Sequence, residues 1–206
     1  MEFEVSIIIP VYNEMSSIAN ILNRINSFPF ASKAEVMIID DGSSDGTYKY
    51  INSVINSFLY KIFILRQCEH RGKGSDIKTA IKSANGKYII ICDASAEYNA
   101  ENILLIYNEL SLKGYDAVMG SRLKMNSKIF NGLCLILNRF SAFCINILFG
   151  SKYTDVYAGC KGFKSGVIKS MNIESGGCEV DTEIAARLAH RKLSLEEVAV
   201  SYMNGN

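Results

Sequence analysis

The sequence predicts an α/β domain with a mostly parallel central sheet flanked by helices. Three observations carry this. Short apolar runs alternate with amphipathic stretches whose apolar residues recur at helical spacing. The runs are apolar nearly throughout, as strands are when both sheet faces are covered. Polar clusters close the runs instead of interrupting them: Tyr12-Asn13-Glu14, Asp40-Asp41-Gly42, Asp93 with Glu97, and Ser121-Arg122.

The elements follow in order. Val5–Val11 is a β-branched run, so a first strand is expected there, directly at the start of the chain. Ile18, Ile21, Leu22 and Ile25 give Ser16–Phe28 a helical apolar face. Val36–Asp40 is a second strand, closed by the turn-rich Asp41-Gly-Ser-Ser-Asp-Gly46. A helix is expected over Thr47–Leu59, a strand over Ile62–Leu65, a helix over Lys73–Ala84 and a strand over Tyr88–Cys92. Asn99 suits the N-cap of a helix running to about Lys113, and Ala117–Gly120 is a fifth strand. Beyond residue 123 the rhythm changes: a long apolar helix, a short Gly-rich segment, another helix, and a final strand at Ser194–Tyr202.

Length and composition bound the rest. A chain of 206 residues without linker or repeat is expected to be one domain, 1–206, with a first half to residue 122 and a second from residue 123. Lys and Arg number 22 and Asp and Glu 21, so the net charge of +1 excludes bulk phosphate attraction and no nucleic-acid partner is expected. The two histidines, His70 and His190, are far apart and do not suggest a His-rich metal site. Cys68, Cys92, Cys134, Cys144, Cys160 and Cys178 form no CxxC pair, and reduced, mostly buried thiols of a cytosolic protein are expected. The N-terminus has no basic n-region, so no signal peptide is expected. Phe130–Phe149 is long enough to span a bilayer, but Asn131, Asn138, Arg139, Ser141 and Asn146 interrupt it. It reads as a buried core helix or, alternatively, as a helix lying on a membrane surface.

Ligands of open α/β sheets bind beyond the carboxyl ends of the strands, where the polar clusters lie. The first of these loops has no glycine, Gly72-Lys-Gly74 lacks a third glycine, and there is no Walker loop. An acidic site remains: Asp40, Asp41, Asp45, Asp93 and Glu97 all follow strand ends. Converging carboxylates need a positive group among them. Mg²⁺ or Mn²⁺ holding a diphosphate would supply it, with Arg71, Lys73 and Arg122 covering the phosphates. Asp45, just ahead of Gly46-Thr47, is alternatively a turn or cap residue.

In order and spacing, five segments resemble family 2 glycosyltransferases: Ser6-Ile-Ile-Ile-Pro10-Val-Tyr-Asn-Glu14, Ile39-Asp-Asp41-Gly-Ser-Ser-Asp-Gly-Thr47, Gly72-Lys-Gly74, Asp93-Ala-Ser-Ala-Glu97-Tyr98 and Gly120-Ser-Arg122. The likeness runs from about residue 5 to 202. Asn138-Arg139-Phe140, Thr154-Asp155, Gly159-Cys-Lys161-Gly-Phe163, Asp181-Thr-Glu183 and Glu197-Val-Ala-Val-Ser-Tyr202 resemble the polyprenyl- and dolichyl-phosphate mannosyl- and glucosyltransferase branch.

The resemblance implies a GT-A fold, a nucleotide-sugar donor, and a divalent cation, Mg²⁺ or Mn²⁺. By position, Pro10, Tyr12, Asn13, Glu14, Ile39 and Asp41 would bind the donor's nucleoside, with Tyr12 able to stack on uracil or guanine. Asp93, Ala94 and Ser95 occupy the Asp-x-Asp motif, with Asp93 meeting the metal and diphosphate and Glu97 as a second metal ligand. Lys73 and Arg122 would reach donor phosphates. Asp93, Arg122 and Asp155 form the implied catalytic set, and Arg139 and Lys161 the acceptor-side set.

Two departures stand out. Ser95 replaces the second metal Asp, and the chain stops at Met203-Asn-Gly-Asn206 without the basic stretch that follows the last strand in relatives. The implied reaction is inverting transfer of a hexose from UDP-glucose or GDP-mannose to a polyprenyl or dolichyl phosphate, at the cytoplasmic face of a membrane on which the protein sits peripherally. A lipid phosphate is already an anionic nucleophile and needs positioning and charge neutralisation more than a base. The alternatives are transfer to a saccharide, with Asp155 or Asp181 as base, and a donor-binding module impaired by Ser95.

Overall fold

The computed structural model describes residues 3–67, 72–95, 98–125 and 133–202. The strands are β1 (Phe3–Val11), β2 (Ala34–Asp40), β3 (Lys61–Arg66), β4 (Gly86–Cys92), β5 (Ala117–Ser121), β6 (Cys160–Lys164) and β7 (Leu195–Ala199). They form one sheet in the order β3-β2-β1-β4-β6-β5-β7. β6 runs antiparallel to both β4 and β5, and the other pairings are parallel. The helices are α1 (Met15–Asn26), α2 (Thr47–Val54), α3 (Lys73–Ser83), α4 (Glu101–Leu112), α5 (Leu133–Phe149), α6 (Ser165–Lys169) and α7 (Val180–His190).

Alternation along β1 splits the core into two layers. Val5, Ile7, Ile9 and Val11 pack with Ile18, Leu22 and Ile25 of α1 and with Ile103, Ile106 and Leu110 of α4. Ile8 packs on the opposite face with Ile77 of α3, Ala142 and Ile145 of α5, and Ile184 and Leu188 of α7. Strands covered on both faces need the continuous apolar runs the sequence has.

Three expectations change. The helix expected over Thr47–Leu59 ends at Val54. The Gly-rich segment after α5 contains β6, whose apolar pattern is broken in sequence by Lys161. The long apolar helix is not a core helix: only Asn138, Ala142 and Ile145 are buried, while Ile136, Leu137, Phe140, Phe143, Ile147 and Leu148 stand exposed. Among the described residues, no helix is long and apolar enough to cross a membrane. The thiols also divide, with Cys92 and Cys160 buried but Cys134 and Cys178 exposed. Ala100, not Asn99, holds the N-cap position of α4, and Asn99 Oδ1 accepts the Glu101 N–H at 3.0 Å from one residue further back.

The topology places the site. The chain builds β1, β2 and β3 outward, then crosses back to put β4 on the other side of β1. That reversal is where open α/β sheets bind ligands. Pairing of β1 with β4 stops at Ile8↔Ile91, whereas pairing with β2 continues to Val11↔Asp40. Pro10, which has no N–H to extend a ladder, stands where the crevice opens. Because β6 runs backward, its first residues reach the same rim, and the Asp93 N–H donates to the Gly159 carbonyl at 3.0 Å.

Candidate active site

A cleft of about 580 Å³ opens at this rim. Pro10, Tyr12, Glu14 and Asp41 line one side, Lys73, Asp93, Ala94 and Ser95 the floor, and Arg122 with Tyr98 and Tyr202 the far wall. These residues come from the ends of five strands, β1, β2, β4, β5 and β7, and the start of α3, so six of the segments quoted above converge on one space.

The floor is a chain of alternating charge. Lys73 Nζ lies 2.9 Å from Asp93 Oδ1 and 3.0 Å from Oδ2, and also 3.3 Å from Asp181 Oδ2. Lys161 Nζ donates to Asp181 Oδ1 at 2.5 Å. Burial opposes the Lys73 charge, but Asp93 and Asp181 outweigh it and hold its ammonium above the ordinary lysine range. Burial likewise opposes the Asp181 charge, and Lys161 and Lys73 outweigh it, holding the carboxyl below its ordinary value. The positive group among the carboxylates is thus supplied by the chain itself.

Glycines permit this geometry. A Cβ on Gly159 would lie 2.2 Å from Asp93 Oδ2 and 2.9 Å from a Tyr98 ring carbon. A Cβ on Gly74 would lie 2.7 Å from the Ser175 carbonyl, so that glycine lets the start of α3 pack on the 175–177 loop and aim Lys73 inward. Gly159→Ala is expected to displace the Asp93 carboxylate, cost about 1–3 kcal/mol of stability through overpacking, and weaken nucleotide binding. Thermal melting and nucleotide titration check this; a variant that melts and binds like the parent removes that role from Gly159.

The far wall is rigid. Arg122 forms a two-pronged pair with Asp155, Nε to Oδ2 at 2.8 Å and an NH2 nitrogen to Oδ1 at 2.9 Å. The Arg122 N–H donates to Asp155 Oδ2 at 2.9 Å, and Asn138 Nδ2 donates to Oδ1 at 3.0 Å. Four donors therefore occupy the two oxygens of a wholly buried carboxylate. Glu197 takes the Thr154 and Asp155 N–H groups at 2.9 and 3.1 Å and the Thr154 hydroxyl at 2.7 Å. The Arg122 guanidinium also lies over the Tyr202 ring, 5.4 Å from its centroid.

Several expected site residues stand elsewhere. Lys161 is 1% exposed and paired to Asp181, so it faces the core and not an acceptor. Ile39 is buried in the layer beneath the sheet. Asn13, at φ 56°, holds the neighbouring loop: its Oδ1 accepts the Ser44 N–H at 2.9 Å, and its own N–H donates to Ser43 Oγ. Asp40 accepts the Ser43 N–H and pairs with Arg66, and Asp45 holds the turn into α2 by accepting the Thr47 N–H. Of Asp40, Asp41, Asp45 and Asp93, only Asp41 and Asp93 line the cleft, where Glu14 and Asp76 join them. Glu97 and Arg71 lie outside the described residues. Asp181, Tyr98 and Asn138, which stand in quoted motifs but outside the implied donor and catalytic sets, join the site through bonds to residues 17 to 108 positions away, and local sequence does not show those partners.

No three or more His, Cys, Asp or Glu gather for a metal among the described residues. The Asp93 carboxylate and Ser95 hydroxyl share the cleft floor. One carboxylate with diphosphate and water oxygens is a usual Mg²⁺ donor set, so these residues fit an ion brought in with a diphosphate.

Beside this cleft a second groove of about 410 Å³ is lined by Leu123, Lys124, Arg139, Ala142, Phe143 and Thr154. It is mostly apolar, with two cations. Arg122 faces the first cavity and Leu123 and Lys124 the second, so the Arg122–Asp155 pair stands at the partition.

An acid-floored cleft at the reversal point of this sheet, with one antiparallel strand completing its rim, defines a GT-A domain. The chain belongs to glycosyl transferase family 2, whose family model matches residues 6–171. It is 27% identical over 203 residues to the glycosyltransferase AglJ of Haloferax volcanii, covering 96% of this chain and 62% of that protein. It is 25% identical over 224 residues to the dolichyl-phosphate beta-glucosyltransferase of Saccharomyces cerevisiae, covering 98% and 67%. In fold it matches the mannosyltransferase PcManGT of Pyrobaculum calidifontis, in complex with GDP-Man and Mn²⁺, at a TM-score of 0.69 with 18% identity, covering 98% of this chain and 57% of that one. The chain thus spans about three fifths of the archaeal relatives' length.

Proposed function

We propose that this chain is the catalytic domain of an inverting glycosyltransferase. It moves a hexose from a nucleotide-diphosphate sugar, of the UDP-glucose or GDP-mannose type, to a polyprenyl or dolichyl phosphate at a membrane surface. The observation that carries this reading is the pairing of two cavities across one partition: a charged cleft for the donor and an apolar, cationic groove for a lipid phosphate. The dolichyl-phosphate relative supports the acceptor class, and the GDP-Man and Mn²⁺ complex supports a nucleotide-sugar donor with metal.

Tyr12, 56% exposed at the cleft mouth, offers its ring to the base. Lys73 and Arg122 neutralise the diphosphate. Asp93 holds Mg²⁺ or Mn²⁺ with the donor, and Glu97 is its second ligand in this reading. An ion held there would supply positive charge to the leaving diphosphate. Lys124 and Arg139 hold the acceptor phosphate, and Phe143 and Ala142 flank its chain. The phosphate oxygen arrives as an anion and attacks the anomeric carbon in line, opposite the leaving group. Asp155 is saturated by four donors and Asp181 is held between two lysines, so neither is free to take a proton from a hydroxyl acceptor. That favours the lipid phosphate over a saccharide.

α5 supplies the membrane contact in this reading. Its outer face is apolar. Between Asp116 and Asp155 the sequence has no acidic residue but has Arg122, Lys124, Lys128, Arg139 and Lys152. Exposed apolar side chains in a stretch of sequence with only basic charges suit an anionic lipid surface.

The test is transfer of labelled sugar from UDP-glucose and GDP-mannose to dolichyl and undecaprenyl phosphate, read as label extracted into organic solvent. Arg139→Gln is expected to raise KM for the lipid phosphate several-fold and leave nucleotide affinity unchanged. Transfer to a soluble saccharide, with every polyprenyl phosphate inert, would overturn the proposal. Ser95→Asp is expected to tighten Mn²⁺-dependent nucleotide binding on the order of tenfold by adding a carboxylate ligand, measured by titration with and without EDTA.

A further inference from the structure

We infer that Asn138 is a positioning residue that sets the aim of Arg122 through Asp155, and so ties the seat of α5 to the donor cleft. The inference rests on the reading of Arg122 as a donor-phosphate ligand. Asn138 lies on the inward stripe of α5 and is buried. Its Oδ1 accepts the Val156 N–H at 2.9 Å and the Tyr157 N–H at 3.3 Å, which leaves Nδ2 to donate to Asp155 Oδ1 at 3.0 Å. The same Oδ1 also takes an Arg122 NH2 proton. Asn138 and Arg122 thus share one carboxylate oxygen, and the amide fixes the carboxylate plane against which the guanidinium fork lies.

Two further side chains of α5 grip the same segment. Asn146 donates to the Tyr153 carbonyl at 2.9 Å and accepts the Tyr153 N–H at 2.8 Å, and Ser141 pairs with the Tyr157 hydroxyl at 3.0 Å. Residues 153–157 are therefore held to α5 at three places, and Asn138 is the one whose bond continues to Arg122. A shift of α5 reaches the cleft at two places, Tyr157, which lines it, and the Asp155 carboxylate behind Arg122. Without Asn138 the carboxylate keeps the three Arg122 donors but loses the bond that fixes its plane, and the guanidinium is free to swing with it.

The test is a double-mutant cycle read by calorimetric titration of the whole chain with UDP and with GDP. Arg122→Gln is expected to weaken binding of the nucleotide that the wild type binds by about 10- to 100-fold, the range for losing a charged hydrogen bond. Asn138→Ala is expected to weaken it several-fold. Combined with Arg122→Gln, it should add nothing, since it acts through that side chain. Losses that multiply in the double variant would make Asn138 a local stabiliser of the loop and overturn the inference. Asn138→Ser takes the place of the alanine variant if that one does not fold, because serine does not span the distance to Asp155. Failure of both to fold also overturns the inference, by making the residue one of stability alone. If neither nucleotide binds the wild type, or Arg122→Gln binds as tightly as the wild type, the donor reading itself falls, and this inference falls with it.

Discussion

Asp93→Asn is expected to lower turnover by about a hundredfold or more, the usual cost of removing one preorganised electrostatic group from a transfer site. Asp93 sits at the centre of the cleft floor, and both of its oxygens meet Lys73. The amide keeps the shape but loses the charge that holds a metal and orients the ammonium. Lys73 retains Asp181 as a partner, so the fold should survive. The measurement is kcat at saturating donor and lipid phosphate, alongside a melting curve. A variant that melts within a few degrees of the parent and keeps its turnover would remove Asp93 from the chemistry and move the site elsewhere.

Asp181→Asn is expected to destabilise the domain by about 3–5 kcal/mol, the cost of leaving a buried charge without its partner. Lys161 is enclosed on β6, and Asp181 is its ion-pair partner. The shift in melting temperature should be roughly 6–20 °C for a domain of this size. The pH dependence has a definite sign. The folded-state carboxyl lies below its ordinary value, so its contribution is complete above about pH 4 and is lost as the pH falls toward the lower folded value. The gap between wild type and variant should therefore narrow in acid. Joint replacement, Lys161→Met with Asp181→Leu, should restore most of the stability, because an apolar pair of similar volume is often as good as a buried ion pair. An Asp181→Asn variant as stable as the parent would show that Lys161 finds another counter-charge.

Among the described residues, the chemical motifs read from the sequence have places in this geometry, though not always the places expected. Pro10, Tyr12, Glu14, Asp41, Lys73, Asp93, Ala94, Ser95 and Arg122 share the cleft. They do so because each follows a strand end or opens a helix, and strand ends in a parallel sheet meet at one rim. Asp40, Asp45 and Asn13 carry the same residue types in the same loops and do structural work instead. A short polar side chain at a turn satisfies backbone N–H groups as readily as it faces a ligand. Which it does depends on direction, and direction is set by packing.

The sequence by itself determined the alternation of strands and helices, the family likeness and the rim on which the chemistry lies. All of these are written in local periodicity and in motifs a few residues long. The tertiary structure decided that a Lys-bearing segment is a central strand, because its charge is cancelled by Asp181, 20 positions further on. It decided that the apolar helix shows most of its surface outward, because only one stripe, through Asn138, Ala142 and Ile145, is buried. It joined Arg122 to Asp155 and Asn138, 33 and 17 positions apart in their respective bonds. Hydrophobic periodicity repeats within a few residues and is visible along the chain. A buried ion pair depends on two side chains meeting across the fold, and that meeting exists only once the chain is packed.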